Sequence, residues 1–310
     1  MRKAAFLFPG QGAQVVGMGR SIAERFPDSR RLLDRAECIL GMSLQKVMFE
    51  GPQASLDDDF TAQAAVYAAS CLVVDLMESQ GIRAAAIAPY SSGLYAAAYA
   101  AGVVDFETGL NLMTEADRCI REVSQDGAMG VILGLSGPEV EKLRDGMDGW
   151  AEVSILNTRH QTIVSGDSAG IDEILRRAML AEALKTDVLG ASAPYHCSLL
   201  KPADAKLAET VSRAPLKDPH TPVFSYIDCQ PMTRSEQMAM MFSSQLGNPV
   251  NWVGVVEELA RRELTPFVEI GPSQMLGRSV RWIHRPATVL YTDTADALEQ
   301  TLESLLRSQR

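Results

Sequence analysis

At 310 residues with 46% apolar side chains, the chain is long enough to bury a substantial core, as one large domain or two unequal ones. Its 39 acidic against 29 basic side chains leave a net charge of -10, which excludes nucleic acid as an expected partner, because nonspecific binding there needs a basic footprint. No run of about 18 uninterrupted apolar residues marks a membrane partner, and the scattered Cys38, Cys71, Cys119, Cys197 and Cys229, with no CxxC pair, are expected to be reduced thiols of a cytoplasmic protein.

The apolar residues Ala4 to Phe8 run straight into Pro9 and Gly10. This reads as a buried first strand and not as a signal peptide, whose apolar region would be longer. After the turn Pro9-Gly10-Gln11-Gly12-Ala13-Gln14, Ile22 to Phe26 and Leu32 to Leu40 have helical spacing, and Ala62 to Met77 is predicted as a long apolar helix. Ala84 to Ala88 reads as a buried parallel strand, and the alanine density of Tyr95 to Ala101 predicts a helix ending at Gly102. From about Gly127 to Gly190 the pattern tightens to strand Ala128 to Leu135, helix Gly137 to Met147, strands Ala151 to Leu156 and Thr162 to Ser165, helix Ile171 to Leu184 and strand Lys185 to Leu189. That βαββαβ order is the ferredoxin-like pattern, expected as a small domain inserted into a larger one. Strands Val223 to Ile227 and Thr265 to Ile270, with helix Val253 to Arg262 between them, return the chain to the large domain. The division is therefore 1–124 and 192–310 for the large domain and 125–191 for the small one.

Chemistry is suggested by Ile87-Ala88-Pro89-Tyr90-Ser91-Ser92-Gly93-Leu94-Tyr95, a strand entering a small-residue turn and then a helix. A serine on such an elbow exposes its hydroxyl above the sheet, with the next backbone N–H and the helix N-terminus available to a developing oxyanion. Serine and glycine are also ordinary capping and turn residues, so the segment alone is a weak signal. A general base has to come from His160, His196, His220 or His284. His220 and His284 are expected to be exposed and His160 to sit at a hairpin turn, which favours His196 in Ala193-Pro194-Tyr195-His196-Cys197.

Phe8-Pro9-Gly10-Gln11-Gly12-Ala13-Gln14, the Ser91 elbow, Gly127-Ala128-Met129, Asn157 with Gln161 and Ser165-Gly166, the His196 segment, Gln245-Leu246-Gly247-Asn248-Pro249-Val250 and Glu269-Ile270-Gly271-Pro272 occur in one order along nearly the whole chain. In this it resembles the malonyl-CoA:acyl carrier protein transacylases. The resemblance implies an α/β-hydrolase-like large domain with an inserted ferredoxin-like domain and a cleft between them. It implies Ser91 as nucleophile, His196 as base, the N–H groups of Gln11 and Ser92 as oxyanion hole, and a main-chain carbonyl near Gln245 orienting the histidine. Acyl-CoA and an acyl carrier protein would be the partners, CoA thioester and phosphopantetheine the substrates, with no metal or bound cofactor.

The elbow departs from the Gly-His-Ser-x-Gly-Glu of that family at Pro89, Tyr90 and Leu94. A second departure has a larger consequence. Counted without gaps, the position at which the resemblance implies an arginine clamp for the malonyl carboxylate holds Ala116, between Glu115 and Asp117. At about 100° per residue, Arg118 and Arg121 lie about 200° and about 140° round the helix from it. A divergent member handling an uncharged acyl group is expected, with Tyr90, Leu94, Ala116 and Tyr195 shaping the acyl pocket. Arg278, Arg281 and Arg285 form a basic cluster that could meet an acidic carrier protein or simply be a solvated face. The expected activity is S-acyl transfer; a thioester hydrolase using the same dyad, or a silent docking partner of a synthase, are the alternatives.

Overall fold

Two short strands, β1 (Ala5–Phe8) and β2 (Ala86–Pro89), are buried at every residue, as the middle strands of a covered parallel sheet must be. In the computed structural model, which describes residues 3–123 and 127–307, the chain next builds β3 (Ala128–Leu133), β4 (Ala151–Thr158), β5 (Gln161–Gly166) and β6 (Lys185–Leu189). It continues through β7 (Val223–Phe224), β8 (Pro231–Met232), β9 (Phe267–Glu269) and β10 (Val289–Tyr291). One sheet is ordered β10-β9-β1-β2-β7-β8 and is parallel except at the β7/β8 edge. The other, β4-β5-β3-β6, is antiparallel. The architecture is α/β, with the helical layers of the first sheet including the Asp59–Ser79 helix. That helix is long and apolar enough to cross a membrane by composition, yet 78% of its apolar window is buried inside the protein, as befits a helix apolar on all sides in a core.

The antiparallel sheet has two different faces. Ile132 and Val164 join Ile171 and Ile174 of the Ser168–Leu180 helix in a core of their own, whereas Met129, Ile155 and Ile163 belong to the main core. Strand alternation accounts for this in β3 and β5. In β4 the ladder shifts register between Val153 and Ile155, and this bulge turns Ile155 to the opposite face from Ala151 and Val153. The same strand is tied to the segment carrying Gln245: Leu156 N–H donates to Val250 O at 2.9 Å, and Val250 N–H to Ser154 O at 2.8 Å.

Each element that the sequence reading placed between Ala5 and Arg261 is present with the expected type, while several lengths need correction. The strand expected through Ile227 stops at Phe224, because the Ser225 hydroxyl accepts the N–H groups of Ile227 and Asp228 and folds the chain into a turn. The helix expected to start at Ile171 starts at Ser168, capped by the Asp167 carboxylate on Gly170 N–H. The helix expected to reach Met147 ends at Lys142; the Arg177 guanidinium takes the carbonyls of Leu143, Asp145 and Gly146 just beyond it. Strands β8 and β10 and the helices Leu44–Glu50, Gln53–Leu56, Lys201–Val211, Ser235–Phe242 and Ala295–Arg307 had no counterpart in the sequence reading. The expected break between residues 124 and 125 lies outside the described residues.

Candidate active site

The elbow between β2 and the Gly93–Ala100 helix puts Ser91 at a φ of 51°, a left-handed conformation rare for a residue with a side chain. Pro89 ends the strand opposite Phe8, so its missing N–H costs the ladder nothing further. The turn closes because two neighbours lack a Cβ. A Cβ on Gly93 would stand 2.1 Å from Phe8 O, and one on Gly10 would stand 2.7 Å from both Ser92 Oγ and Tyr90 O. The Gln11 N–H reaches Ser92 Oγ at 3.1 Å, which brings the first turn of the chain against the elbow.

His196 also has a positive φ, 62°, and its ring is buried. Its Nε2 lies 2.7 Å from Ser91 Oγ, and its Nδ1 lies 2.9 Å from Gln245 O and 3.2 Å from Asn248 O. Carbonyls only accept, so Nδ1 carries the proton and Nε2 offers its lone pair to the Ser91 hydroxyl. Burial pulls the imidazole down to about 4, against the two carbonyls that favour its charged form. The segment holding it is braced in turn. His196 N–H donates to Leu246 O at 2.8 Å, and the buried Asp204 carboxylate accepts Leu246 N–H at 2.9 Å and Gly247 N–H at 2.8 Å. Gln245 donates its side-chain amide to Tyr95 Oη at 3.0 Å, and the Tyr226 ring meets the imidazole edge to face at 5.9 Å.

Ser91 and His196 open into a cavity of about 390 Å³ between the two sheets. Ala116 and Ile120 of the Phe106–Val123 helix line one side and Met129, Ile155, Ile163 and Leu189 of the antiparallel sheet the other; Gln11, Ser92, Tyr90, Tyr195 and Gln245 also contribute. Tyr90 donates its hydroxyl to Asn157 Oδ1 at 2.6 Å, which bridges the elbow to the antiparallel sheet. Leu94, expected in the pocket, is not in the lining. It is fully buried in the main core, because the helix that starts at Gly93 turns it behind the elbow.

Among the described residues that line the cavity, Asp57 is the one with a charged side chain other than the titratable His196, and no arginine or lysine is present. Arg118 is turned outward, paired with Glu115 at 2.6 Å and with Glu122, and Arg121 pairs with Asp117 at 2.8 Å. Their side chains are 54% and 64% exposed. Ala116 by contrast faces the cavity.

Arg278 and Arg281 are exposed on the Met275–Ile283 helix beside the exposed Trp282, and Arg281 lies over the Tyr291 ring. Arg285 falls after that helix has ended, so the three arginines do not form one helix face. A second cavity of about 220 Å³ reaches from Arg278 and Trp282 to Tyr90, which it shares with the first. Of the other histidines, His160 occupies the β4–β5 turn and is exposed, as is His220, whereas His284 is half-buried. Sequence reasoning missed Asp59, Gln63, Asp204 and Asn248. Their partners lie far away in the chain; no local pattern marks the first three, and the motif that contains Asn248 does not show that its carbonyl meets His196.

Residues 5–289 match the acyl transferase domain family. The chain is 30% identical over 310 residues to the malonyl CoA-acyl carrier protein transacylase of Bacillus subtilis (strain 168), covering 98% of each. Among solved structures it resembles the malonyl CoA-acyl carrier protein transacylase of Coxiella burnetii with a TM-score of 0.93 and 27% identity, over 97% of each chain. It also resembles a malonyl-transacylase solved in complex with the holo form of its type II PKS acyl-carrier protein, with a TM-score of 0.92 and 27% identity, over 97% of this chain and 99% of that one. Shared along almost its whole length with these enzymes, the chain belongs to the acyl transferase domain family and is an acyltransferase of the malonyl transacylase type.

Proposed function

We propose that the protein moves an acyl group without a free carboxylate from a CoA or carrier-protein thioester to the phosphopantetheine thiol of an acyl carrier protein, through an ester on Ser91. The 2.7 Å contact between Ser91 Oγ and His196 Nε2 carries this reading. His196 Nε2 takes the Ser91 proton as Oγ attacks the thioester carbonyl. The oxygen that becomes negative is held by the Gln11 and Ser92 N–H groups, with Gln11 exchanging its contact to Ser92 Oγ for the oxyanion. Collapse breaks the C–S bond, and the leaving thiolate takes the proton from Nε2. The incoming phosphopantetheine thiol then gives its proton to Nε2 and attacks the ester, and Ser91 leaves and recovers that proton. The Gln245 and Asn248 carbonyls stabilise the imidazolium formed in each half, which replaces a carboxylate by dipoles.

For the acyl group, the cation-free lining around Ala116 supports the reading. A carboxylate there would be stripped of water without a partner, at roughly several kcal/mol, or two or more powers of ten in affinity. The apolar wall of Met129, Ile155 and Ile163 suits an uncharged chain. The exposed Arg278, Arg281 and Arg285 region, next to a cavity that shares Tyr90 with the site, is where an acidic carrier would dock. In this reading the parallel sheet is the α/β-hydrolase-like domain, and the antiparallel unit, residues 125–191, is its ferredoxin-like insertion. The β6-β3-β5-β4 strand order supports that assignment.

The test is the intact mass of the protein after incubation with a panel of acyl-CoAs, then with a phosphopantetheinylated carrier. Acetyl or longer uncharged groups are expected to load faster than malonyl, to be absent from Ser91→Ala, and to pass to the carrier. Dominant malonyl loading would overturn the acyl assignment, and release of free acid with no acylated carrier would overturn the transfer.

A further inference from the structure

We infer that Asp59 is a positioning residue that locks the Gln11 turn to residues 192–196, and so sets the oxyanion donor and the base relative to each other; the inference rests on the Ser91 reading above. The Asp59–Ser79 helix does not need Asp59 as its cap. Asp58 fills that place, accepting Thr61 N–H at 3.1 Å and the Thr61 hydroxyl at 2.8 Å. Asp59 is instead buried, 5% exposed, and its two oxygens face two other parts of the chain. Oδ1 accepts the Gln11 side-chain amide at 2.5 Å. Oδ2 accepts Ser192 N–H at 2.9 Å, the Ser192 hydroxyl at 2.5 Å and the Tyr195 hydroxyl at 2.8 Å.

One turn further along the same helix face, Gln63 donates to Gln11 Oε1 at 3.1 Å. Asp59 and Gln63 thus hold both ends of the Gln11 amide, and the backbone N–H of that same residue points at the elbow. On the other side Tyr195 directly precedes His196, whose positive φ has to be imposed by its surroundings. With its Oε1 taken up by Gln63, Gln11 faces Asp59 with its NH2 group, which, like the Ser192 N–H, only donates, so in this arrangement the bridge needs an acceptor at both oxygens of residue 59. A carboxylate supplies two and a carboxamide only one. Asp59 does not line the cavity, so it acts through its neighbours and not on the substrate.

Asp59→Asn presents an NH2 group to one of the two donor sets. Misplacement of a reacting group by about 1 Å costs on the order of 100-fold in rate, so kcat for acyl transfer is expected to fall about 100-fold while KM for the acyl-CoA stays within about threefold. Gln11→Ala keeps the backbone N–H but cuts its tether. The double variant is therefore expected to be no slower than the slower single variant, a non-additivity that general destabilisation does not produce. Amide hydrogen exchange at Gln11 and Ser192, faster in Asp59→Asn at unchanged global stability under native conditions, reports the lock without reference to catalysis. If wild-type Ser91 is never acylated, the Ser91 reading fails while the exchange measurement still decides the lock. Additive effects of the two variants, an unchanged kcat, or unchanged exchange at both amides would overturn the inference. Should Asp59→Asn fail to fold, Asp59→Ser, which keeps one acceptor, takes its place in the same measurements with the same expected and overturning results.

Discussion

His196 receives no carboxylate on its Nδ1, only the carbonyls of Gln245 and Asn248. Dipoles support an imidazolium less strongly than a charge does, and burial opposes it further, which together put the group at about 4. In the proposed mechanism His196 has to be neutral to take the Ser91 proton. Below about pH 4 it is protonated and the proposed transfer stops; above that it is ready, far under the 6.5 of an ordinary histidine. The acid limb of kcat/KM for acyl transfer is accordingly expected near pH 4, and a limb near 6.5 would show that the buried ring titrates like an exposed one. That Ser91 and His196 would meet was legible in the sequence because each stands in a distinctive segment and histidines are few. Asp59 and Asp204 were not. Asp59 ends the run Asp57-Asp58-Asp59, in which nothing local distinguishes it from its neighbours, and its meaning lies in Gln11, Ser192 and Tyr195. Asp204 sits in a helix and grips the N–H groups of Leu246 and Gly247 more than 40 residues away.

The elbow depends on how closely one helix can start against one strand. Gly93 is the first residue of its helix, and an added Cβ would stand 2.1 Å from the Phe8 carbonyl, a backbone atom with no freedom to move aside. Gly93→Ala is therefore expected to lose more than about 3 kcal/mol in urea unfolding. Gly41→Ala provides the comparison. Gly41 has a φ of 65° with nothing within 4 Å of a Cβ, so its substitution strains only the backbone and costs about 1 kcal/mol. Equal losses for the two would mean that the helix shifts along β1 to make room. At this scale the sequence showed element type well, because burial on both faces makes β1 and β2 continuously apolar. It showed endings poorly, because a hydroxyl at Ser225, a cap at Asp167 and a guanidinium at Arg177 decide them, and none alters hydrophobic periodicity. The β4 bulge that gives the cavity Ile155 was invisible for the same reason.

For the molecule as a whole, burial of titratable groups couples folding to pH in two opposed directions. His196 drops from 6.5 to about 4 on folding, so its stabilisation is complete above pH 6.5 and is lost as pH falls through 4. Asp204 goes the other way, raised from 3.8 to about 6 by burial against the pull of two N–H donors; its stabilisation is complete below 3.8 and is lost as pH rises through 6. Glu269, fully buried at the end of β9 with Leu276 and Gly277 N–H on its oxygens, rises from 4.5 to about 7, and its stabilisation is lost through 7 in the same sense. Each displacement is worth about 3 kcal/mol. Between pH 4 and 6 the histidine and Asp204 offset each other, which leaves Glu269 to decide the slope. From these three groups stability is expected to decline from about pH 5 to about pH 7. Removing the imidazole should make the decline steeper, because the two carboxyls then act unopposed. Urea unfolding of the wild type and of His196→Gln across pH 4 to 8 checks this through the difference in slope, which is insensitive to the packing cost of the substitution. A steeper fall in the variant is the expected outcome, and parallel curves would mean that His196 keeps its ordinary affinity for protons inside the fold.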